Sequence, residues 1–448
     1  MTDLTVIVLA AGEGTRMRSA HPKVLHKVGG RPIAGHVLSA ARDAGAGTLA
    51  MVTGPGHEAV RRDMAAIAPD TQFFEQVERK GTAHAASMAR PAFGAATGYV
   101  AVVYGDHPLL RGDDFKRVTD RLDAGLDVAI LGFEPQDPTG YGRFITDGDR
   151  LLAIREHKDA TEDERKIGLC NACILSFRAD VFNGLIDKVS NSNVQGEYYL
   201  TDLVELANAA GHSVGYAVAP EDNVMGVNDR AQLARAEATF QALRREDFMR
   251  NGVTLHDPSS VYFSFDTEIE PDVEIEPNVV FGPGVRIESG ALIHAFSHIE
   301  GTHIGASATV GPFARLRPGA DLGAKSKVGN FVEVKSAEIG EGAKVNHLTY
   351  IGDAQIGARA NIGAGTVTCN YDGYNKSRTI IGQDAFIGSN SALVAPVEIG
   401  DGAYVASGSV ITEPVAPDAL GIGRARQVNK PGYGKALNAR FKAIKDSK

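Results

Sequence analysis

From about Val273 to Ile411 the chain counts in sixes, and this period limits the fold more than any other feature. Aliphatic residues recur at Val273, Val279 and Val285, and at Ile304, Val310, Leu316, Leu322, Val328 and Val334. They continue at Ile339, Val345 and Ile351, at Ile356 and Ile362, and at Ile381, Ile387, Leu393, Ile399, Val405 and Ile411. A period of six matches neither the repeat of an amphipathic helix nor the alternation of a half-buried strand. It matches a parallel β-helix, in which each hexapeptide forms one short face of a prism and its aliphatic residue points to the axis. Stacked coils then join these residues into apolar columns, so each coil stabilises the next. The period breaks at "TCNYDGYNKSRT", Thr368 to Thr379. Such an insertion leaves the coil as a loop, often on the binding face.

A chain of 448 residues exceeds one ordinary core, so more than one domain is expected. Residues 1–228 have another rhythm. Apolar runs at Thr5–Leu9, Thr48–Val52, Val100–Tyr104 and Val128–Phe133 alternate with helical patterns at Ile33–Ala44 and Thr82–Ala89. That alternation predicts a largely parallel sheet covered by helices. Residues 229–250 read as one linker helix, capped by Asn228 or Asp229, with Leu233, Ala236, Phe240 and Leu243 on one face. Residues 251–448 hold the β-helix and end in a basic tail, Lys435 to Lys448, whose plain reading is a solvated terminus.

Several function classes are disfavoured. The net charge is −9 and no long basic stripe offsets it, which argues against nucleic acid but leaves small anionic ligands open. No apolar run is long enough for a membrane span, and Thr5–Ala11 reads as a buried strand, not as a leader; the expected address is the cytoplasm. Cys170 and Cys173 form a C-x-x-C with no second pair, so neither a disulfide framework nor a zinc site is expected.

The first strand runs into "LAAGEGTRMRSAHPKVL". Gly12 and Gly14 let loop amides approach phosphate oxygens, and Arg16 and Lys23 add positive charge. A lone G-x-G is often only a tight turn; the basic residues that follow it favour an anion site. The segment is neither a Walker loop nor a dinucleotide fingerprint. In "YGDHPLL", Asp106 ends an apolar strand, where parallel sheets bind ligands, and a carboxylate there suits Mg²⁺. A turn or helix cap is the plainer reading of Asp106. Within the repeat, Arg317, Lys335, His347 and Tyr350 sit between the aliphatic anchors and face outward; each alone reads as a solvated prism face.

Together these segments resemble one family across the whole chain: the bacterial bifunctional N-acetylglucosamine-1-phosphate uridylyltransferase/glucosamine-1-phosphate acetyltransferases. The resemblance rests on "LAAGEGTRM", "HPKVLH", "GTAHA", "YGDHPL", "DPTGYGR", "EHKDAT", "QGEYYLTD" and "GVNDR", then "GPFARLRPGA", "GNFVEVK", "NHLTYIGDA", "NIGAGTVTCNYDG" and "IGSNSALVAP". It implies an α/β Rossmann-like nucleotidyltransferase domain followed by a left-handed β-helix, assembled as a homotrimer. It also implies UDP-N-acetylglucosamine synthesis from glucosamine-1-phosphate, acetyl-CoA and UTP, with Mg²⁺, for cell-wall and lipopolysaccharide precursors.

The site residues follow from the same resemblance. Leu9, Ala10, Ala11, Gly12, Arg16, Lys23, Gln76, Gly81 and Thr82 are expected at the nucleotide, with Tyr104, Gly105, Gly140, Glu156 and Asn171 at the sugar. Asp106 and Asn228 are expected to bind Mg²⁺. In the repeat, His347 is the expected general base, since an imidazole ordinarily titrates near neutrality, with Glu333 holding and polarising it. Arg317, Lys335, Tyr350, Asn361 and Lys376 are expected at the sugar phosphate. Ala364, Asn370, Tyr371, Ser389, Ser407 and Arg424 are expected along acetyl-CoA. There are two departures. "LCNAC" stands where the family often has N-T-G, putting Cys173 where a left-handed backbone would exclude a side chain. Ser407 stands where the family carries Ala. The alternatives are a monofunctional sugar-1-phosphate nucleotidyltransferase with a structural β-helix, opposed by the set from Arg317 to Lys376, a bare hexapeptide acetyltransferase with an unrelated N-terminal domain, opposed by the nucleotide motifs, and a non-catalytic exchange-factor subunit. Lys23, Asp106 and Asn228 together oppose the last.

Overall fold

A computed structural model describes residues 3–447. The chain divides into two compact units, Met1–Glu246 and Asp247–Lys448.

In the first unit nine strands form one sheet: β1 (Leu4–Ala10), β2 (Thr48–Thr53), β3 (Gln72–Glu75), β4 (Tyr99–Tyr104), β5 (Val128–Phe133), β6 (Arg143–Asp147), β7 (Arg150–Arg155), β8 (Cys170–Arg178) and β9 (Val214–Val218). Their order is β3-β2-β1-β4-β8-β5-β9-β7-β6. The first four are mutually parallel. Strand β8 runs antiparallel to both of its neighbours β4 and β5, so the sheet is mixed. Side chains alternate between two cores. Val6 and Val8 join Val37, Leu38 and Phe115 on one face. Ile7 and Val102 join Ala86, Phe182 and Leu203 on the other. Burial on both faces is why these runs read as continuous apolar stretches.

The helix Arg230–Arg250 begins with a reciprocal cap. The Gln232 amide donates to Asp229 Oδ1 at 2.8 Å, and the Asn228 amide donates to Gln232 Oε1 at 2.7 Å. Within the first unit its Ala236, Leu233 and Phe240 pack with Met17, Val28 and Ile33. Gly29, at φ +54, lies under the Phe240 ring, where a Cβ would meet ring carbon at 2.2 Å.

The second unit is a left-handed parallel β-helix. Away from the insertion and the two ends, paired residues are 18 or 17 apart, as in Val310↔Val328 and Val328↔Val345, so three hexapeptides complete a coil. Each aliphatic position of the sequence repeat lies in one continuous core, none more than 6% exposed. Corners are turned by residues in the left-handed region, including Asp272 (φ 63), Asn278 (φ 61), Ser307 (φ 57) and Asn390 (φ 55). Each such corner costs roughly 1–2 kcal/mol in a residue with a side chain. Coil-to-coil backbone hydrogen bonds offset this, such as Gly311 N to Val328 O at 2.8 Å and Arg315 N to Val332 O at 2.9 Å. At the first coils Phe248, Phe263 and Phe281 fill the prism axis, with ring centroids 4.7 and 5.3 Å apart.

The insertion leaves the coil at Asn370 and returns at Thr379, where Ile380 pairs with Gln355 and Glu398; Tyr374 at its tip is 93% exposed. Among the described residues no helix is long and apolar enough to cross a membrane.

The columns make a sharp expectation. Ile351, fully buried between Val334 and the coil above, should cost about 2–5 kcal/mol when cut to alanine. Denaturant titration should lower the midpoint of the β-helix transition in Ile351→Ala, with near-ultraviolet signals of the first unit unchanged.

Candidate active sites

In the first unit the site forms where β1 and β4 end side by side, with Leu9 paired to Tyr104. The Gly105 amide donates to Leu9 O at 2.9 Å. Gly14 adopts φ +62, and a Cβ there would stand 2.6 Å from Lys23 Cβ. Glycine at this position is therefore what admits Lys23 to the site. Leu9, Ala10, Ala11, Gly12, Lys23, Gln76, Gly81, Thr82, Tyr104 and Asp106 all line one cavity of about 340 Å³. Gln76 Nε2 donates to Gly81 O at 3.0 Å, and Thr82 Oγ1 accepts from the Leu200 amide at 2.9 Å, which ties the loop to the helix behind it. Arg79 lines the same cavity and was missed in the sequence, although it lies in "EQVERKGTAHA". Its Nε donates to Ala11 O at 3.0 Å and its guanidinium pairs with Glu13.

Asp106 is the centre of a charge cluster. Lys23 Nζ donates to Asp106 Oδ2 and, at 3.1 Å, to Asn228 Oδ1, which also accepts from Arg16 Nη2 at 2.9 Å. His107 Nδ1 lies 2.8 Å from Asp106 Oδ1, but the two are not aligned, and each of these buried atoms lacks a hydrogen bond. Burial pushes the Asp106 carboxyl up; the neighbouring His107 and the Lys23 ammonium outweigh it and hold the group well below the ordinary carboxylate range.

Of the remaining predicted residues of this unit, Arg16, Gly140, Glu156 and Asn228 line other cavities. Arg16, Gly140 and Asn228 border one of about 500 Å³. Glu156 borders another of about 390 Å³, with Tyr199 and Asp202. Burial raises the Glu156 carboxyl, partly countered by the Thr201 hydroxyl that donates to Oε1 at 3.1 Å. Asn171 and Glu156 approach over Gly142, where a Cβ would lie 3.6 Å from Asn171 Cβ and from Glu156 Oε1.

One expectation is corrected here. Cys173 adopts φ +76, the conformation that a cysteine was expected not to take. It does so inside a bulge, where the β8–β5 register shifts between Asn171 and Leu175. Asn171 Oδ1 accepts from the Cys173 amide at 3.3 Å, and the thiol is buried. Local hydrogen bonding and burial therefore offset about 1–2 kcal/mol of backbone cost. Burial also raises the Cys173 thiol well above its ordinary pKa, which makes it a poor nucleophile.

In the β-helix His347 ends the strand Lys344–His347 and is exposed. Its Nδ1 donates to Asn330 Oδ1 at 2.7 Å across adjacent coils. Glu333, expected to hold this ring, instead accepts from Arg317 Nη1 at 2.8 Å. Asn330 is thus the ring's partner and was missed, though it stands in "GNFVEVK". Register explains the difference: Asn330 pairs with His347, whereas Glu333 pairs with Arg315 and Tyr350.

Arg317, Lys335 and Lys376 converge: Lys376, and then the Arg317 charge, lower the Lys335 ammonium pKa. Mutual repulsion of this kind marks a place for an anion. The Tyr350 ring folds over Gly352, where a Cβ would meet its hydroxyl at 2.3 Å. Asn361 sits in register with Phe386 and with Lys344, which lies three residues before His347 on its strand. Two positions past the paired Ile362, Ile387 and Val405, the residues Ala364, Ser389 and Ser407 stack in one column, and Arg424 lies 3.7 Å from the space above Gly408. Ser407 is exposed, so its hydroxyl is readily accommodated. Asn370 Nδ2 bonds to Asp353, while Tyr371 is 61% exposed on the insertion.

Asp202 carries a pH expectation. Burial first, then Glu205, raise its carboxyl to about 6. The unfolded carboxyl titrates near 4, so the folded state binds the extra proton between these values and loses stability as pH rises from about 4 to 6. Asp202→Asn should match the wild type near pH 4 and exceed it by about 1 kcal/mol at pH 7, after screening of this half-buried group. Urea titrations at both pH values check this.

Comparison with known proteins covers both units of the chain. Residues 6–167 match the MobA-like NTP transferase domain, and residues 266–301 and 378–413 match the bacterial transferase hexapeptide family of six repeats. The "Bifunctional protein GlmU" of Agrobacterium fabrum is 54% identical over 442 residues, covering 99% of this chain and 98% of that protein. Those of Sinorhizobium fredii (55% over 439 residues; 98% and 96%) and of Jannaschia sp. (52% over 445 residues; 99% and 98%) are similar along the same length.

Proposed function

The chain belongs to the family of bifunctional GlmU proteins, and on that premise we propose that its two sites act in succession to make UDP-N-acetylglucosamine. It is a bifunctional transferase: the β-helix transfers acetyl from acetyl-CoA to glucosamine-1-phosphate, and the sheet domain transfers uridylyl from UTP to the N-acetylated product. The observation that carries this reading is the presence, in one chain, of the Lys23–Asp106–Asn228 cluster in the sheet domain and, on the β-helix, of the His347–Asn330 pair and the mutually repelling Lys335, Lys376 and Arg317.

For acetyl transfer, the Nδ1–H bond to Asn330 Oδ1 leaves Nε2 of His347 with a free lone pair. Nε2 takes a proton from the sugar ammonium, and the freed amine attacks the thioester carbonyl, expelling the coenzyme thiolate. Asn330 fixes the tautomer, and Glu333 acts at one remove by orienting Arg317. Arg317, Lys335 and Lys376 hold the sugar phosphate; Tyr350 and Asn361 complete its pocket. The column of Ala364, Ser389 and Ser407, with Asn370, Tyr371 and Arg424, follows the coenzyme.

For uridylyl transfer, a phosphate oxygen of N-acetylglucosamine-1-phosphate attacks the α-phosphorus of UTP in line, and pyrophosphate leaves. The nucleophile is already an anion, so the chain need only position and neutralise. The loop Leu9–Gly12 with Gln76, Gly81 and Thr82 holds the nucleotide, and Arg16, Lys23 and Arg79 face its charge. Tyr104, Gly105, Gly140, Glu156 and Asn171 hold the sugar. Asp106 and Asn228 suit Mg²⁺: an ammonium already bridges them, and Asp106 Oδ1 is buried without a hydrogen bond. Mg²⁺ there would neutralise the triphosphate and the leaving pyrophosphate.

The acetyl site lies on a flat prism face, which cannot enclose a substrate by itself. We infer a homotrimer in which prisms pack side by side. An exposed ladder supports this: Phe296, Phe313 and Phe331 stack at 4.9 and 5.1 Å beside Leu348, which is 64% exposed and follows His347. Introducing charge with Phe313→Glu and Phe331→Glu together should yield smaller species in sedimentation and reduce acetyl transfer at least tenfold, while uridylyl transfer from N-acetylglucosamine-1-phosphate persists.

The two activities should separate by single substitutions. Asp106→Asn should lower pyrophosphate release on the order of 100-fold and leave thiol release near wild type. His347→Ala should lower thiol release about 10²–10⁴-fold, in turnover more than in acetyl-CoA affinity, and leave pyrophosphate release intact. Equal losses of both activities in either variant would defeat the assignment.

A further inference from the structure

The Lys23 ammonium stands where a cation bound by Asp106 and Asn228 would stand. It donates to Asp106 Oδ2 and to Asn228 Oδ1 at once, and its side chain is only 13% exposed. Its approach is built in: Gly14, at φ +62, leaves the space that its Cβ fills. Arg16 also spends a donor on Asn228 Oδ1. The pair of oxygens is thus already neutralised from within the chain.

We propose that Lys23 is a resident counter-cation of the Asp106–Asn228 site, which a divalent ion must displace before it can bind there. This rests on the reading of Asp106 and Asn228 as the metal-binding pair. A divalent ion arriving alone has to break a largely buried ion pair and leave the ammonium without its carboxylate, a costly separation. Lys23 also lines the cavity of about 340 Å³ bordered by Gly12 and Thr82, so a polyphosphate there offers it a new anionic partner. Moving Lys23 to the phosphate vacates the site for the metal, and by linkage metal and phosphate bind each other's complex more tightly than the free chain. The same lysine thereby couples the arrival of the two ligands, and free metal stays off the site until a phosphate is present.

The test uses Mn²⁺ alone, without nucleotide, on the full-length chain, with free Mn²⁺ read by electron paramagnetic resonance. Lys23→Met and Lys23→Gln should each bind Mn²⁺ about tenfold or more tightly than the wild type, within the usual range of coupling between sites. Adding Asp106→Asn to either variant should abolish that gain. Unchanged or weaker Mn²⁺ affinity in both lysine variants, with binding still dependent on Asp106, overturns the displacement and leaves the metal pair standing. Tight binding in Lys23→Met that ignores Asp106→Asn overturns the metal pair itself.

Discussion

The coil-to-coil register of the β-helix is the constraint on which its site depends. Because three hexapeptides close one coil, residues 17 or 18 apart are pressed together, and sequence separation becomes lateral contact. His347 meets Asn330 for this reason, and Arg317 meets Glu333 by the same rule from a neighbouring position. The aliphatic columns provide the stability; the outward positions between them are then free to carry chemistry without disturbing the core. The first unit achieves the same separation differently. Its core lies on the two faces of the sheet, and its polar residues gather at the ends of β1 and β4, outside both cores.

Charge is managed in opposite ways at the two sites. Around Asp106 a buried carboxylate is matched by a lysine from a loop, so the cluster is balanced before any ligand arrives. Around Lys335 the like charge of Lys376, and more weakly that of Arg317, which Glu333 already pairs, lowers the ammonium pKa at the surface, so an anion relieves repulsion when it binds. The first arrangement favours exchange of partners; the second favours simple capture.

Much of this was legible in the sequence because the relevant periods are strict. The six-residue count located the columns, and the apolar runs located β1, β2, β4 and β5 to within a residue or two. Asp106 could be placed because it ends such a run. What the sequence did not reveal was lateral and local. Glu333 is closer to His347 in sequence than Asn330 is, yet coil register hands the ring to Asn330. The antiparallel insertion of β8 between β4 and β5 leaves no signature in its own apolar pattern. Cys173 takes a left-handed backbone because a bulge and the Asn171 side chain support it, a compensation that residue type alone does not announce. Arg79 stands two residues before the "GTAHA" segment, but only its hydrogen bond to Ala11 sets it apart from neighbouring cations.

The aromatic plug of Phe248, Phe263 and Phe281 has a consequence for how such a domain can change over evolutionary time. It closes one end of the prism, and the residues of the acetyl site begin only at Arg317, so the coils between them carry none of the acetyl chemistry, although Phe296 and Phe313 of the exposed ladder stand on them. Each coil adds one strand spacing, about 4.8 Å, along the axis. Whole coils gained or lost in that stretch would lengthen or shorten the domain in fixed steps, as if along a ruler. The chemistry from Arg317 onward would travel with them, because its contacts within the chain, such as His347 with Asn330 and Arg317 with Glu333, are made with a coil next door.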